Sequence, residues 1–288
     1  MGDLEKDIPL PVRLELAHAA AQRVASGVGV DLLHIKGVAV ADELRPFGRR
    51  GSDVDVLVRP SQVERLDLAM RASGWTLYST FVSGSPFGHA QTYLHDTWGY
   101  IDVHRFFPGI GAEPERAFEA LWRGRDERAL AGARCAVPSV PAQALILVLN
   151  DARSRADARR DLAAAWTDAP EERRAQVASL VDDLDAHVGF AAATGGLDRY
   201  RDSREYRMWK VASEGGTRSQ EWAARVRSAP TVGGAARVLV RAPLVNVDRL
   251  THRLGRQPSR REVAAEFADR VRRAVREALS GGRRGGAT

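Results

Sequence analysis

The sequence predicts an α/β (α+β) fold, in which an N-terminal domain with a mixed β-sheet flanked by helices precedes a mainly helical domain. Two observations carry this prediction. Up to Val137, short apolar runs bounded by turn residues alternate with segments of helical spacing, as in small α/β domains. From Ala142 onward the pattern is helical. The predicted boundaries are 1–138 for the first domain, 139–280 for the helical domain and 281–288 for a flexible tail.

Each element of the first domain has a local signal. Apolar positions at helical spacing predict a helix over residues 12–27, and glycines end it. A strand over 30–35 and a short helix over 38–44 follow. The next strand is the apolar run after Asp53, and a helix then begins at Pro60. The remaining predicted elements are strands over 75–82, 87–94 and 99–107, a helix over 113–122 and a hairpin over 127–137.

In the second half, helices are predicted over residues 142–149, 157–166 and 171–187. A terminal helix that starts at Pro258 has an apolar residue every four positions and arginines on its other faces. Such a helix can dock on its own domain, on a membrane surface or on nucleic acid, and docking on its own domain is the commonest case.

The composition is that of a globular protein. Of the 288 residues, 44% are hydrophobic and 28% are charged, so the chain can bury a core. Its one cysteine, Cys135, excludes an internal disulfide framework and indicates a reducing cytoplasm. No secretory signal and no apolar run near the ~20 residues of a membrane span is visible, so we expect a cytoplasmic protein. The net charge of +6 suggests attraction to anions such as nucleotides or nucleic acid.

Two carboxylates mark the start of the strand that follows residue 52. Asp53 and Asp55 are two positions apart, so on a strand their side chains point to the same face, with Cα atoms about 7 Å apart. They repel each other unless a cation lies between them, and a hard divalent ion is the simplest partner. Asp102 lies in a later strand, with His104 on the same face. If that strand lies beside the first, three carboxylates converge.

Residues before the acidic pair have the chemistry to bind phosphate. Gly37 would begin a helix whose free backbone N–H groups can receive phosphate oxygens, and Lys36 adds positive charge. A solvated side chain at a strand end is the alternative for this lysine. The connection that follows supplies Arg49 and Arg50, which suit bidentate contacts with triphosphate oxygens, and Ser52.

Together these motifs resemble the nucleotidyltransferase superfamily of the DNA polymerase β type, and in particular its bacterial family of uncharacterised nucleotidyltransferases. The resemblance covers residues 13–165. It rests on Lys-Gly, a spacer, Gly-x-Arg, Asp-hydrophobic-Asp and a later hydrophobic-Asp-hydrophobic-His. Many members of the superfamily carry Gly-Ser at the first turn, where the serine touches the triphosphate, whereas this chain has Lys36-Gly37.

The resemblance implies that residues 1–138 form a nucleotidyltransferase catalytic domain that moves a nucleoside monophosphate from an NTP, such as ATP, to a hydroxyl or similar acceptor and releases pyrophosphate. The acceptor would be a small molecule, a peptide or a protein, with tRNA as an alternative. Asp53, Asp55 and Asp102 would be the catalytic metal ligands for two Mg²⁺ ions, or for Mn²⁺, and Asp102 would accept the proton. The residues implied in nucleotide binding are Lys36, Gly37, Arg49, Arg50, Ser52 and His104.

Other interpretations stay open at this point. One is a toxin-like enzyme that acts on tRNA, which the basic C-terminal half would suit. Another is a catalytically silent domain that binds nucleic acid or a partner. A third is an ordinary α/β domain in which the acids lie at solvated strand ends.

Overall fold

The computed structural model describes residues 8–45, 51, 53–81, 87–153, 161–216, 218–228, 231, 233, 236, 245, 247–254 and 256–282. The strands are β1 (Leu32–His34), β2 (Val54–Val58), β3 (Thr76–Ser79), β4 (Ala90–His95), β5 (Gly99–His104), β6 (Asp126–Leu130) and β7 (Ala133–Val137). The α-helices in these ranges include α1 (Leu10–Gly27), α2 (Val63–Ala72), α3 (Pro114–Arg123), α4 (Val140–Asp151), α5 (Glu171–Asp183), α6 (His187–Thr194), α7 (Tyr206–Glu214), α8 (Arg218–Ser228), α9 (Val247–Leu254) and α10 (Arg260–Gly282). The predicted α/β class is confirmed.

A five-stranded mixed sheet has the strand order β1-β2-β5-β4-β3. β1 is antiparallel to β2, β2 is parallel to β5, and β4 lies antiparallel between β5 and β3. β6 and β7 form a separate hairpin, as the sequence predicts. The long connection from β2 to β5 is the crossover that parallel neighbours require. The sheet therefore brings two strands together that are distant in sequence.

Side chains alternate between the two faces of the sheet. Val54, Val56 and Val58 face a core shared with α1, α2 and the hairpin, whereas Leu57 faces a larger core shared with α3 to α7. Because strand residues alternate, Asp55 lies on the same face as Leu57. The larger core joins residues from both predicted domains, and the boundary after residue 138 stays a prediction.

The helix predicted over residues 38–44 is wrong. The chain forms two short 3-10 turns, separated by the extended residues Val40 and Ala41. In a helix, the N–H of Ala41 would donate to the carbonyl of Gly37. It donates instead to Oε1 of Gln143 on α4 at 2.8 Å. Val40 packs in the larger core and the turn before it in the smaller one, so anchoring to both faces overrides local helical spacing.

The helix predicted over residues 171–187 ends earlier, since α5 stops at Asp183 and α6 begins only at His187. Asp185, between them, has a left-handed backbone with φ 50°. The backbone carbonyl of Leu184 accepts hydrogen bonds from the N–H groups of Gly111 and Ala112 at 3.1 and 3.0 Å. This loop contact uses the carbonyl that a continuous helix would need, and it fixes the break.

The terminal helix predicted from residue 258 is α10, and it contacts α8. Phe267 and Val271 on its apolar stripe are each 40% exposed. Residues 283–288 of the predicted tail lie outside the described residues. The first part of the helix predicted over 157–166 also lies outside them, and the described part ends in a π-helical turn. No helix in the described ranges combines the length and the apolar character needed to cross a membrane.

Two buried histidines share a hydrogen bond on the α1 face of the sheet. The Nδ1 atoms of His18 and His34 are 2.7 Å apart. Since the amide nitrogen of Gln22 donates to Ser26, its oxygen accepts from Nε2 of His34 at 3.0 Å. Neutral His34 then accepts at Nδ1, and His18 donates. Burial lowers the pKa of His18 to about 4 and holds the pKa of His34 well below its ordinary value, so both rings are neutral.

We expect this pair to make the fold sensitive to acid. Below about pH 6.5 the unfolded chain takes up a proton at His18, whereas the folded chain does not until about pH 4, so the free energy of unfolding falls over this interval. In His18→Leu, the loss of stability between about pH 8 and about pH 5.5 should shrink by about 1 kcal/mol. Urea unfolding at both pH values measures this, and an unchanged loss would contradict the explanation.

Candidate functional site

Three side chains able to hold a cation meet where β2 and β5 lie side by side. The strand register places Asp55 opposite Asp102, and Leu57 opposite His104. Asp55, Asp102 and His104 each offer one potential ligand atom, and these three atoms lie within 4.8 Å of one another. The sequence predicts that Asp102 converges with the acidic pair only if the two strands are neighbours, and they are neighbours.

Two side chains stabilise the ionised form of Asp55. Its Oδ1 is 2.7 Å from Nζ of Lys36, and it accepts a hydrogen bond from Nε2 of His104 at 2.9 Å. Burial alone would raise the pKa of this carboxyl. The charge of Lys36 and the hydrogen bond from His104 outweigh burial and hold the pKa of Asp55 well below its ordinary value. Asp55 is therefore ionised at neutral pH.

The pKa of Asp102 is shifted in the opposite direction. Burial, and then the charge of Asp55, raise its pKa to about 6, although a 2.6 Å hydrogen bond from Oγ1 of Thr92 acts to lower it. Asp53, in the bend before β2, raises the pKa of Asp102 further through its own charge. The nearby carboxylates thus disfavour the ionised form of Asp102, and a bound cation would favour it.

His104 adds a neutral imidazole to the cluster. Burial lowers its pKa to about 4 even though Asp55 acts to raise it. Since Nε2 donates to Asp55, Nδ1 carries the lone pair of the neutral ring, and this buried atom has no hydrogen-bond partner among the described residues.

The donor set fits a divalent cation. Carboxylate oxygens suit Mg²⁺ and Mn²⁺, and an imidazole nitrogen shifts the preference toward Mn²⁺ and other transition ions. Asp55 and Asp102 are the residues that would hold the ion, with His104 as a nitrogen ligand. Asp53 lies outside this group of three, and its role as a ligand stays a prediction.

Arg153 and His89 also border the site, and sequence reasoning missed both. Nη1 of Arg153 donates to Nε2 of His89 at 3.0 Å, and Nη2 donates to Oδ1 of Asn150 at 2.8 Å. Nε is buried without a hydrogen-bond partner among the described residues. Burial lowers the pKa of Arg153 to about 10, while Asp55 and Asp102 act to raise it, so the group keeps its charge.

His89 lies between this arginine and His104 of the group able to hold a cation. The His89 and His104 ring centroids are 4.9 Å apart. Because Nε2 of His89 accepts from a guanidinium, the ring is neutral, and burial lowers its pKa far below the ordinary value. No motif marks either residue in the sequence, since several arginines follow α4 and only the fold singles out Arg153.

Of the predicted nucleotide-binding residues, the structure describes Lys36, Gly37 and His104, and their binding roles stay predictions. Gly37 has a positive φ of 66° and begins a 3-10 turn, so no long helix stands behind its N–H groups. Lys36 contacts Asp55. A Cβ placed on Gly51 would lie 3.7 Å from Cα of Gly37, so the end of the Gly/Arg/Ser-rich connection lies against this turn. The predicted phosphate ligands that lie outside the described residues are Arg49, Arg50 and Ser52.

Residues 17–166 match the family described as uncharacterised nucleotidyltransferases, which covers more than half of the chain. Comparison with curated proteins gives no match.

Solved structures with distant similarity include the antibiotic-resistance factor ANT(2'')-Ia, at 13% identity over 65% of this chain and 93% of that chain, with a TM-score of 0.39. The lincomycin-bound lincosamide antibiotic adenylyltransferase LnuA is 16% identical over 58% of this chain and 95% of that chain, with a TM-score of 0.34. An antigenic nucleotidyltransferase-like protein from Paracoccidioides brasiliensis is 16% identical over 62% and 93%, with a TM-score of 0.38. Similarity at this level says nothing about substrates.

The raised pKa of Asp102 predicts that this residue lowers the stability of the metal-free fold and strengthens metal binding. Ionising this half-buried carboxyl at about pH 8 costs up to about 3 kcal/mol, because its pKa is raised from 3.8 to about 6. Asp102→Asn should therefore unfold at a higher temperature than the wild type without metal, and Mn²⁺ should stabilise it less. Thermal unfolding with and without Mn²⁺ measures both effects. The exposed control Asp96→Asn should change neither, and a less stable Asp102→Asn protein would contradict the prediction.

Proposed function

The chain belongs to the family of uncharacterised nucleotidyltransferases, and from this premise we propose that it transfers a nucleoside monophosphate from an NTP to an acceptor hydroxyl or similar group. The observation that carries the proposal is the pairing of the buried Asp55 with the half-buried Asp102 on adjacent parallel strands. An ordinary α/β domain gains nothing from such a pair, because each carboxylate makes ionisation of the other more costly. A small molecule, a peptide or a protein is the expected acceptor.

The acidic residues would hold the metal. Asp55 and Asp102, joined by Asp53, supply carboxylate oxygens of the kind that Mg²⁺ and Mn²⁺ bind, and two ions are expected from the resemblance. A bound divalent ion would neutralise charge on the triphosphate and lower the pKa of the acceptor hydroxyl. The low pKa of Asp55 supports its role as a permanently charged ligand.

Asp102 is suited to take the proton. With a pKa of about 6 it is mostly ionised at neutral pH, yet basic enough to accept a proton from an acceptor hydroxyl. As the acceptor oxygen bonds to the α-phosphorus, the bond from that phosphorus to the pyrophosphate oxygen breaks, and pyrophosphate leaves with the electron pair. Thr92 orients Asp102 for this step through its hydrogen bond.

Arg153 is suited to bind a phosphate of the nucleotide. Its guanidinium is held by the neutral acceptors His89 and Asn150, so its charge is not cancelled at those two contacts. Its Nε has no hydrogen-bond partner among the described residues, and the electrostatic effect of Asp55 and Asp102 on the pKa of Arg153 indicates that the guanidinium lies near them. Lys36, Gly37 and the arginines before the acidic pair would complete the phosphate contacts.

Turnover tests the proposed function. With Mg²⁺ or Mn²⁺, the full chain should release pyrophosphate from at least one NTP when supplied with a cell extract as acceptor source, and mass spectrometry should find the nucleotidylated product. Asp55→Asn should lower the rate at least about 100-fold because it removes a metal ligand, while Asp96→Asn keeps it. RNA binding that weakens steeply with salt, without turnover, would instead favour a silent binding domain.

Loss of Arg153 should weaken nucleotide binding more than it affects folding. Arg153→Gln keeps a hydrogen-bond donor and removes the charge, so the KM for the NTP should rise by about tenfold or more, as for the loss of a charge-assisted hydrogen bond. Arg116→Gln removes an exposed arginine on α3 and controls for net charge. Steady-state kinetics over a range of NTP concentrations separates KM from kcat, and equal KM values in the two variants would exclude this role.

A further inference from the structure

Lys36 forms an ion pair inside the acidic cluster. Its Nζ is 2.7 Å from Oδ1 of Asp55, and the two side chains are 19% and 7% exposed. Attraction between opposite charges is stronger in such a shielded position than at the surface. Because Asp55 is also one of the residues able to hold a metal, the lysine binds the same carboxylate that a metal would use.

The backbone at the end of β1 fixes the origin of this side chain. The N–H of Ile35 donates to the backbone carbonyl of Asp55 at 3.1 Å. Lys36 is extended, with φ −145° and ψ −176°, and the chain then turns at Gly37. The backbone of Lys36 is therefore held beside Asp55, while the flexible four-carbon side chain can move its ammonium group without rearranging the strand.

We propose that Lys36 is an internal counter-ion that competes with the divalent metal for Asp55, and that the nucleotide relieves this competition by drawing the ammonium group onto its polyphosphate. This inference rests on the proposed function, which supplies the metal and the triphosphate. A divalent ion on Oδ1 of Asp55 and an ammonium group on the same oxygen repel each other. A metal that takes Oδ1 therefore displaces Lys36, and the polyphosphate is an anion that can receive the ammonium group.

The charges around the site give the direction of the effect. Asp53, Asp55 and Asp102 contribute negative charge, and Lys36 and Arg153 contribute positive charge. Removing the charge of Lys36 makes the cluster more negative and takes away one of the two donors on Oδ1 of Asp55, so a cation should bind more tightly. A lysine that only held Asp55 in place would have the opposite effect when lost, because a metal ligand would become less ordered.

Metal and nucleotide should therefore bind with positive cooperativity that depends on Lys36. The triphosphate removes the competing cation, so its presence raises the affinity for the metal, and by linkage the metal raises the affinity for the nucleotide. Without the lysine, the metal no longer needs the nucleotide to displace a competitor, and this part of the coupling is lost. Tight binding of metal would then be confined, in the wild type, to the complex that carries substrate.

Mn²⁺ binding to the full chain without nucleotide tests the proposal, with free Mn²⁺ measured by electron paramagnetic resonance. Lys36→Met should bind Mn²⁺ at least about tenfold more tightly than the wild type, a factor typical of coupling between sites, and Lys36→Arg should stay near the wild type. Lys36→Gln, which keeps a hydrogen-bond donor for Asp55, provides a second neutral variant if Lys36→Met does not fold. Equal or weaker Mn²⁺ binding by the folded neutral variants would overturn the proposal.

The same titration with an NTP analogue that carries a methylene bridge between the α- and β-phosphorus measures the coupling. The analogue should raise the Mn²⁺ affinity of the wild type more than that of the neutral Lys36 variants, and an equal rise would overturn the proposal. Asp55→Asn separates the two levels of inference. If wild-type binding depends on Asp55 but neutral Lys36 variants bind no more tightly, the metal centre stands and the role of Lys36 falls. If Asp55→Asn binds Mn²⁺ as well as the wild type, or if no variant binds it, both fall.

Discussion

The parallel pairing of β2 with β5 is the constraint on which the site depends. It places Asp55, which is buried, directly opposite Asp102, which is half-buried. The repulsion between the two carboxylates affects their pKa values unequally. Asp55 keeps its charge because Lys36 and His104 both contact its Oδ1, whereas the pKa of Asp102 is raised to about 6. The result is one fixed negative charge beside one that ionises near neutral pH.

The two faces of the sheet place buried polar groups in different electrostatic settings. On the α1 face, His18 and His34 are neutral and share one hydrogen bond between their Nδ1 atoms. On the α4 face, buried groups carry opposite charges that are only partly paired. Strand β2 supplies Asp55, β4 supplies Thr92, β5 supplies Asp102 and His104, and the turn after α4 supplies Arg153. A site assembled in this way is complete only when the helical part of the chain packs onto the sheet.

The sequence was sufficient to predict the α/β class and most elements, because turn residues and hydrophobic spacing mark them locally. It also predicted that Asp102 and His104 share a strand face, since alternation along a strand is a local property. It could not establish that β5 is the neighbour of β2, because that depends on a long crossover between distant strands. The short helix over residues 38–44 was predicted wrongly because packing of that segment against both cores overrides its spacing.

Long-range contacts also explain which site residues were missed. Arg153 is one of several arginines after an apolar helix, and only its hydrogen bond to His89, 64 residues away in sequence, distinguishes it. The contact between Lys36 and Asp55 was equally invisible, since the sequence offered for this lysine only a phosphate or the solvent.

The central claim is that Asp55 and Asp102 together hold a divalent cation. A crystal structure of the chain soaked with Mn²⁺, with the ion located by anomalous scattering, tests it most directly. We predict an anomalous peak about 2 Å from carboxylate oxygens of both residues, with Nζ of Lys36 moved away from Asp55. An ordered site without such a peak at saturating Mn²⁺, with Lys36 still in contact with Asp55, would contradict the claim.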